Sequence, residues 1–378
     1  MTATSPSPTR VVVIGCGYAA DFYLQCCAVR PELRVIGAFD ANSGRLKRFT
    51  RHYKITAFGS LAQALASDCD IIINATSIES HYPVTKAALH AGRHVFSEKP
   101  VAMTMQEAQE LWALAREAGL RLSSAPSTAL GACANAVEEA LASDLIGRPL
   151  MVYASLDDGM VYSMNHADWI SPSGNPWPAD DEFAAGAVLE HLGYQLTWLL
   201  RLFGGVTELA GATDVLVPTD MAADGLGPNS AHWTLTHGSG VVTRLSASGL
   251  APRDYSLTIV GDAGVLTVED VMRQDSLVTF QKTTPPGKCD VRLGYLGPRE
   301  ELVYAAPPAP YEDTHYIDFG AGVADLARSL RTGAALSLDE QFCLHALEIT
   351  LAIVRTGRRV YQPSTWLSSS FGKASEGS

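Results

Sequence analysis

The chain has no surplus of positive charge: 28 Lys and Arg stand against 40 Asp and Glu, a formal net charge of −12. A nucleic-acid footprint needs a basic face, and an anionic membrane surface repels this balance, so neither is expected as a partner. No run of about 18 apolar residues occurs, which removes a spanning helix. The opening MTATSPSPTR has no apolar stretch of signal-peptide type and reads as a short arm. Cysteine is sparse, seven residues without C-x-x-C spacing. The odd count leaves at least one unpaired, and buried free thiols in a reducing cytoplasm are the expected state. Also missing are a G-x-x-x-x-G-K-[ST] phosphate loop, an H-E-x-x-H zinc motif and a G-x-S-x-G nucleophile elbow, and no metal site is expected.

What is present is a long, apolar chain: 378 residues, 47% hydrophobic and 18% charged, enough for about two domains with sizeable cores. VVVIG (11–15), RVIGAFD (34–40), DIIINAT (70–76), HVFS (94–97) and RLSSA (121–125) read as buried strands separated by helical stretches. That alternation means a parallel sheet covered on both faces. It stops near residue 126. After one helix, PLMVYASL, HWTLTH, GVVTRLSASG, YSLTIVGDAGVLTVED and LVTFQK alternate and turn as an antiparallel sheet does. GAGVADLARSLRTG (320–333) and DEQFCLHALEITLAIVRTG (339–357) read as helices packed against that second sheet. The expected fold is an α/β Rossmann-type N-terminal domain over 1–126, with 1–8 disordered. An α+β domain over 127–378 follows, with a large, mostly antiparallel open sheet and a loose tail at 367–378.

Gly15-Cys16-Gly17-Tyr18-Ala19-Ala20 fits G-x-G-x-x-A between the first strand and its helix. Gly15 permits the tight turn, Gly17 lets a pyrophosphate approach the backbone, and Ala20 permits close helix–strand packing. The helix N-terminus stabilises the phosphate charge. Asp40 ends the second strand, where a carboxylate accepts hydrogen bonds from a ribose diol and repels a 2′-phosphate. NAD is therefore expected over NADP, although Arg45, Lys47 and Arg48 follow closely enough to accommodate a phosphate.

AGRHVFSEKPVAMTMQEAQEL (91–111), together with the Gly-rich turn, resembles the family of glucose–fructose oxidoreductase and inositol dehydrogenase, whose members carry an AGKHVxxEKP-type segment. The resemblance implies a second domain whose open sheet forms a homodimer or homotetramer interface. It implies an oxidoreductase that moves hydride between nicotinamide and a secondary alcohol or ketone of a sugar, sugar derivative or cyclitol. It gives Lys99 the role of polarising the reacting oxygen, with Glu98 orienting it or meeting the nicotinamide. His81, Thr76 and Ser77 fall where cofactor contacts are expected; His81 alternatively caps the following helix.

Relatives usually carry D-x-G-x-H on a helix facing the substrate. Here AAGAVLEHLGYQLTWLLRLFGG (184–205) puts Glu190 at the Asp position and Tyr194 at the His position, one helical turn apart. Tyr194 is the expected proton carrier, with Lys99 stabilising its phenolate, and Glu190 the orienting carboxylate. A register shifted by one offers His191 and Gln195 instead; His191 is the spare base. The preceding loop, NHADWISPSGNPWPADDEF (165–183), offers His166, Asp168, Trp169 and Trp177 as substrate or nicotinamide-ribose contacts. SSAPSTALG (123–131) lacks the basic residues many relatives carry there, which points away from phosphorylated substrates. Imine reduction, NAD-dependent glycoside cleavage and a non-catalytic nicotinamide-binding regulator are the alternatives on this scaffold.

Overall fold

The computed structural model describes residues 7–217, 225–284, 295–310 and 316–368. Most of the arm expected at 1–8, most of the tail expected at 367–378, and Cys289 lie outside the described residues. The chain divides into two compact units: Met1–Ser127 with Asn165–Ala179 and Asp318–Leu347, and Thr128–Met164 with Asp180–Ile317 and Glu348–Ser378. The chain leaves the first unit at Ser127 and returns to it twice.

The first unit is a six-stranded parallel sheet. In chain order it runs β1 (Thr9–Ile14), α1 (Tyr18–Ala28), β2 (Leu33–Phe39), α2 (Ser43–Tyr53), β3 (Thr56–Ala57) and α3 (Leu61–Ala66). Then come β4 (Ile71–Asn74), α4 (Ile78–His90), β5 (His94–Ser97), α5 (Met105–Glu117) and β6 (Leu122–Ser124). The strand order is β3-β2-β1-β4-β5-β6. The order reverses on either side of β1, so the carboxyl ends of β1 and β4 flank a switch point where α/β sheets bind ligands. Val11–Val13 and Ile71–Ile73 are fully buried, as strands covered on both faces must be.

The second unit contains α6 (Ala132–Ala142), β7 (Pro149–Asp157), α7 (Ala179–Ala185) and α8 (Ala187–Phe203). β8 (Val206–Asp214), β9 (Ser230–His237), β10 (Val242–Ser248), β11 (Leu257–Gly261), β12 (Gly264–Val268), β13 (Val278–Lys282) and β14 (Glu300–Glu301) follow. With β15 (Gly357–Tyr361) they form a nine-stranded sheet ordered β14-β13-β12-β11-β7-β10-β9-β8-β15, in which only the β7–β10 pair is parallel. α8 covers one face of this sheet. The opposite face leaves Met151, Tyr153, His232, Thr234 and Arg244 exposed, with the Arg244 guanidinium 5.3 Å from the Tyr153 ring. A groove of about 400 Å³ runs across it.

One expectation is corrected. α9 (Gly320–Thr332) does not pack on the antiparallel sheet; it packs on α1, β5 and β6 of the parallel one. Its Val323, Leu326 and Ala327 join Tyr23, Phe96 and Ile73 in one core, and Phe319 stacks on Phe22 at 5.3 Å. An amphipathic face announces that it will be buried without naming the sheet that buries it.

α10 (Glu340–Ile353) and β15 (Gly357–Tyr361) complete the described chain. The Glu348 carboxylate accepts from the Tyr361 and Ser364 hydroxyls, both at 2.8 Å, and the Thr365 hydroxyl at 2.5 Å. The Ser364 and Thr365 amides also donate to it, each at 2.8 Å. Burial pushes this carboxyl up, but hydrogen bonds from Thr365 and Ser364 outweigh it and hold it at about 2.

Candidate active site

In the first unit, Gly15 has φ +91°, and a Cβ there would lie 2.3 Å from the Ala75 carbonyl oxygen, so only glycine closes this turn. A Cβ on Gly17 would meet nothing within 4 Å. Space is thus left over the turn, and Gly17 caps α1 without a side-chain hydrogen bond, leaving amide donors for an anion. Asp40 is buried; its Oδ2 accepts from the Cys16 amide at 2.8 Å and its Oδ1 from the Asn42 amide at 2.7 Å. These bonds point the carboxylate at the Gly-rich turn, where a ribose would lie. Arg45, half-exposed, stands 3.6 Å from Asp40. The residues present therefore fit a dinucleotide.

The Glu-Lys-Pro triplet is not a surface turn. Glu98 is buried and accepts from the Tyr23 hydroxyl at 2.8 Å and from the Lys99 amide at 2.9 Å. Its carboxylate fixes the backbone that carries Lys99 at the carboxyl end of β5. The His81 ring is also buried, with Nδ1 at 2.7 Å from the Pro100 carbonyl and Nε2 at 3.0 Å from the Thr76 carbonyl. Desolvation lowers its pKa. Both nitrogens thus face backbone, and His81 positions the triplet and the end of β4. Thr76 is tied by its hydroxyl to Asn74 at 2.7 Å, and Ser77 caps α4 in extended conformation.

The 165–179 segment belongs to this same unit. Ser171, Ser173 and Asn175 are buried while their neighbours are exposed. Asp21, fully buried in the first turn of α1, accepts from both serine hydroxyls at 2.8 Å, from the Ser173 amide at 2.9 Å and from the Tyr53 hydroxyl at 2.7 Å. The Asn175 amide donates to the Cys16 carbonyl at 2.9 Å, and Arg48 donates to Asn175 at 3.0 Å. The segment is therefore bolted to the Gly-rich turn. Beyond that anchor His166, Trp169 and Trp177 form an aromatic group with ring centroids 5.0–5.3 Å apart, and Asp168 is exposed. The sequence singled out the aromatic residues and missed Asp21 and Asn175, whose partners lie about 150 positions away.

In the second unit, α8 starts at Gly186, with φ +92°, where a Cβ would lie 2.5 Å from Pro228 backbone. Glu190 and Tyr194 share one face, both buried. Gln195 is fully buried and its amide donates to the Ser155 and Ser256 carbonyls at 2.7 and 2.8 Å, a bracket between strands. His191 remains partly exposed. Its Nδ1 lies 2.7 Å from Asp158 Oδ2, whose other oxygen accepts from the Tyr255 hydroxyl at 2.7 Å. Its Nε2 lies 3.9 Å from Glu182 Oε2. Burial pushes the neighbouring Asp157 up to about 6, with the charges of Asp254 and Asp158 adding and the Ser246 hydroxyl opposing. Asp158, Glu182 and Tyr255 were not foreseen.

A parallel sheet with an open Gly-rich turn, a buried acid after β2 and a lysine after β5 defines a dinucleotide-dependent oxidoreductase scaffold. Residues 9–125 match the oxidoreductase family with NAD-binding Rossmann fold named for Gfo, Idh and MocA, and residues 134–267 match the C-terminal domain of that family. The chain belongs to this family. It is 34% identical over 122 residues to 1,5-anhydro-D-fructose reductase from Ensifer adhaerens, 32% of this chain and 34% of that one. The matches span from about a third to three quarters of the length of the curated relatives. The fold matches an oxidoreductase from Agrobacterium radiobacter solved with NAD+, L-tartaric acid and magnesium, at TM-score 0.74 and 17% identity over 94% of this chain and 98% of that one. It also matches a 3-ketoreductase from Actinomadura kijaniata, solved as a lysine-to-alanine variant with TDP-benzene and NADP, at TM-score 0.70 and 21% identity over 94% and 100%.

Proposed function

We propose that this protein is a NAD(P)-dependent dehydrogenase or ketoreductase that exchanges hydride with a secondary alcohol or ketone of a sugar, sugar derivative or cyclitol. The observation that carries the reading is the buried Glu98, which holds the Lys99 backbone at the carboxyl end of β5 beside the dinucleotide turn. An ammonium there stabilises negative charge developing on a carbinol oxygen. The bound nicotinamide would supply the hydride acceptor. On α8, Glu190 is the proposed orienting carboxylate and Tyr194 the proposed proton carrier, with His191 the second candidate.

NAD is favoured over NADP because Asp40 is anchored at the turn with its charge facing the ribose position. Gly15, Gly17, Tyr18, Ala19, Ala20, Thr76 and Ser77 complete the cofactor side; His166, Asp168, Trp169 and Trp177 supply aromatic and polar contacts to sugar. The open face of the nine-stranded sheet, with Met151, Tyr153 and Arg244 exposed, supports a homodimer or homotetramer. Six buried free cysteines among the described residues suit a reducing cytoplasm. No helix among those residues is long and apolar enough to cross a membrane.

The test is a thermal-shift titration with NAD and NADP, followed by a polyol and aminosugar panel read as NADH formation. NAD should raise the transition more than NADP, and at least one polyol should yield stoichiometric NADH. No shift with either dinucleotide ends the proposal.

A further inference from the structure

We propose that Asn175 is a positioning residue for the dinucleotide: it sets the peptide plane that presents the Gly17 amide to the pyrophosphate, and so ties cofactor affinity to the 165–179 segment. This rests on the dinucleotide half of the reading above.

Asn175 stands 159 positions after Cys16 yet belongs to the same compact unit, and it is 2% exposed. Its side-chain amide is fully used. One Nδ2 hydrogen goes to the Cys16 carbonyl at 2.9 Å and the other to the Ser173 hydroxyl oxygen at 2.8 Å, while Oδ1 accepts from Arg48 at 3.0 Å. Turning the amide over would set an acceptor against the Cys16 carbonyl and a donor against the Arg48 guanidinium, so its neighbours fix its direction. The Ser173 hydroxyl gives its own hydrogen to Asp21 Oδ2 at 2.8 Å, which leaves its oxygen to accept from Asn175.

The effect on the turn follows from peptide geometry. The Cys16–Gly17 peptide is trans, and a trans peptide is planar with its C=O and N–H pointing opposite ways. The bond from Asn175 to the Cys16 carbonyl therefore turns the Gly17 N–H away from the 165–179 segment. The preceding peptide is held by the Cys16 amide on Asp40 Oδ2 at 2.8 Å, and the one before it by the Gly15 amide on the Phe39 carbonyl at 2.8 Å. Three successive peptides thus have fixed directions. A Gly-rich turn binds pyrophosphate through such N–H groups, and a donor already aimed needs no reorganisation when the anion arrives. By linkage, an anion bound at this amide steadies the segment that aims it. Asp21 anchors the same segment through Ser171 and Ser173 without touching the Cys16 carbonyl, so loosening the segment and freeing the turn can be told apart.

The experiment measures dissociation constants of NAD, ADP and adenosine by calorimetric titration, with melting temperatures. The proteins are wild type, Asn175→Ala, Asn175→Asp and Asp21→Ala. Asn175→Ala should weaken NAD and ADP about tenfold and adenosine less than about twofold, since only the first two carry a pyrophosphate. Asn175→Asp should weaken them further, because it sets a carboxylate against the Cys16 carbonyl and beside the anion. Asp21→Ala should cost more stability than Asn175→Ala yet bind ADP more tightly, an order that mere loosening of the segment would reverse. ADP should also slow hydrogen exchange at 171–177 in wild type and not in Asn175→Ala. An Asn175→Ala protein that binds ADP within twofold of wild type, or loses ADP and adenosine equally, overturns the inference. If Asn175→Ala does not fold, wild-type exchange decides: ADP that leaves 171–177 exchanging at its unliganded rate overturns it. A wild type that binds neither NAD nor ADP overturns the underlying reading and this inference with it. A wild type that binds both but forms no NADH with any polyol overturns the sugar reading alone.

Discussion

Replacing Asp21 with alanine should separate the role of the 165–179 segment from that of the turn beneath it. The fully buried carboxylate accepts four hydrogen bonds at 2.7–2.9 Å, three of them from Ser171 and Ser173. Hydrogen bonds to a charged group contribute about 1.5–3 kcal/mol each in isolation, but bonds to one acceptor are not additive. Alanine also leaves the two serine hydroxyls and the Tyr53 hydroxyl buried without their acceptor. The net loss should be about 3–5 kcal/mol, on the order of 10 °C in the thermal transition. Asp21→Asn keeps one acceptor oxygen and should lose about half as much. Calorimetry gives the stability, and limited proteolysis reports whether cleavage concentrates in 165–179. With His166, Trp169 and Trp177 released, sugar KM should rise more than cofactor affinity falls. An Asp21→Ala protein that melts within 2 °C of wild type, with no new cleavage in the segment, would refute the anchoring argument.

Two carboxylates give opposite pH signatures. Glu348 is held at about 2, below its ordinary 4.5, so its contribution is complete above pH 4.5 and is lost as pH falls toward 2. Glu348→Gln should cost about 1–2 kcal/mol at pH 7, allowing for solvent screening, and little at pH 2.5, as followed by urea unfolding across that range. Asp157 is raised to about 6, so the folded protein keeps a proton that the unfolded chain gives up near 3.8. Stability from this group is therefore present below pH 3.8 and lost as pH rises through 6. Asp157→Asn should exceed wild type by about 1 kcal/mol at pH 7.5 after the same allowance, and match it at pH 4.

The parallel sheet was legible because its strands are covered on both faces and read as unbroken apolar runs, and Gly15, Gly17 and Asp40 mark the turn beside them. Lys99 could be placed for the same reason: β5 ends one residue before Glu98. β8 was not legible. Gly211 interrupts its alternation, and the structure shows why glycine is there, since a Cβ would lie 2.3 Å from the His232 carbonyl oxygen on β9. α9 was recognised as a helix but assigned to the wrong sheet, because an apolar stripe carries no address. Asp21, Asn175, Asp158 and Tyr255 act through partners far along the chain, and a polar residue in a turn or first helical turn gives no sign of such a partner. Gln195 is the instructive case: the shifted register put it at a site position, and the structure uses its amide to tie β7 to the chain ahead of β11.

The proposed chemistry turns on Lys99, whose backbone amide Glu98 holds just after β5. The direct measurement is single-turnover NADH formation by Lys99→Met, beside its NADH dissociation constant and melting temperature. Turnover should fall by roughly 10²–10⁴-fold while cofactor binding stays within about threefold and the fold is kept. A Lys99→Met protein that transfers hydride within tenfold of wild type would contradict the account.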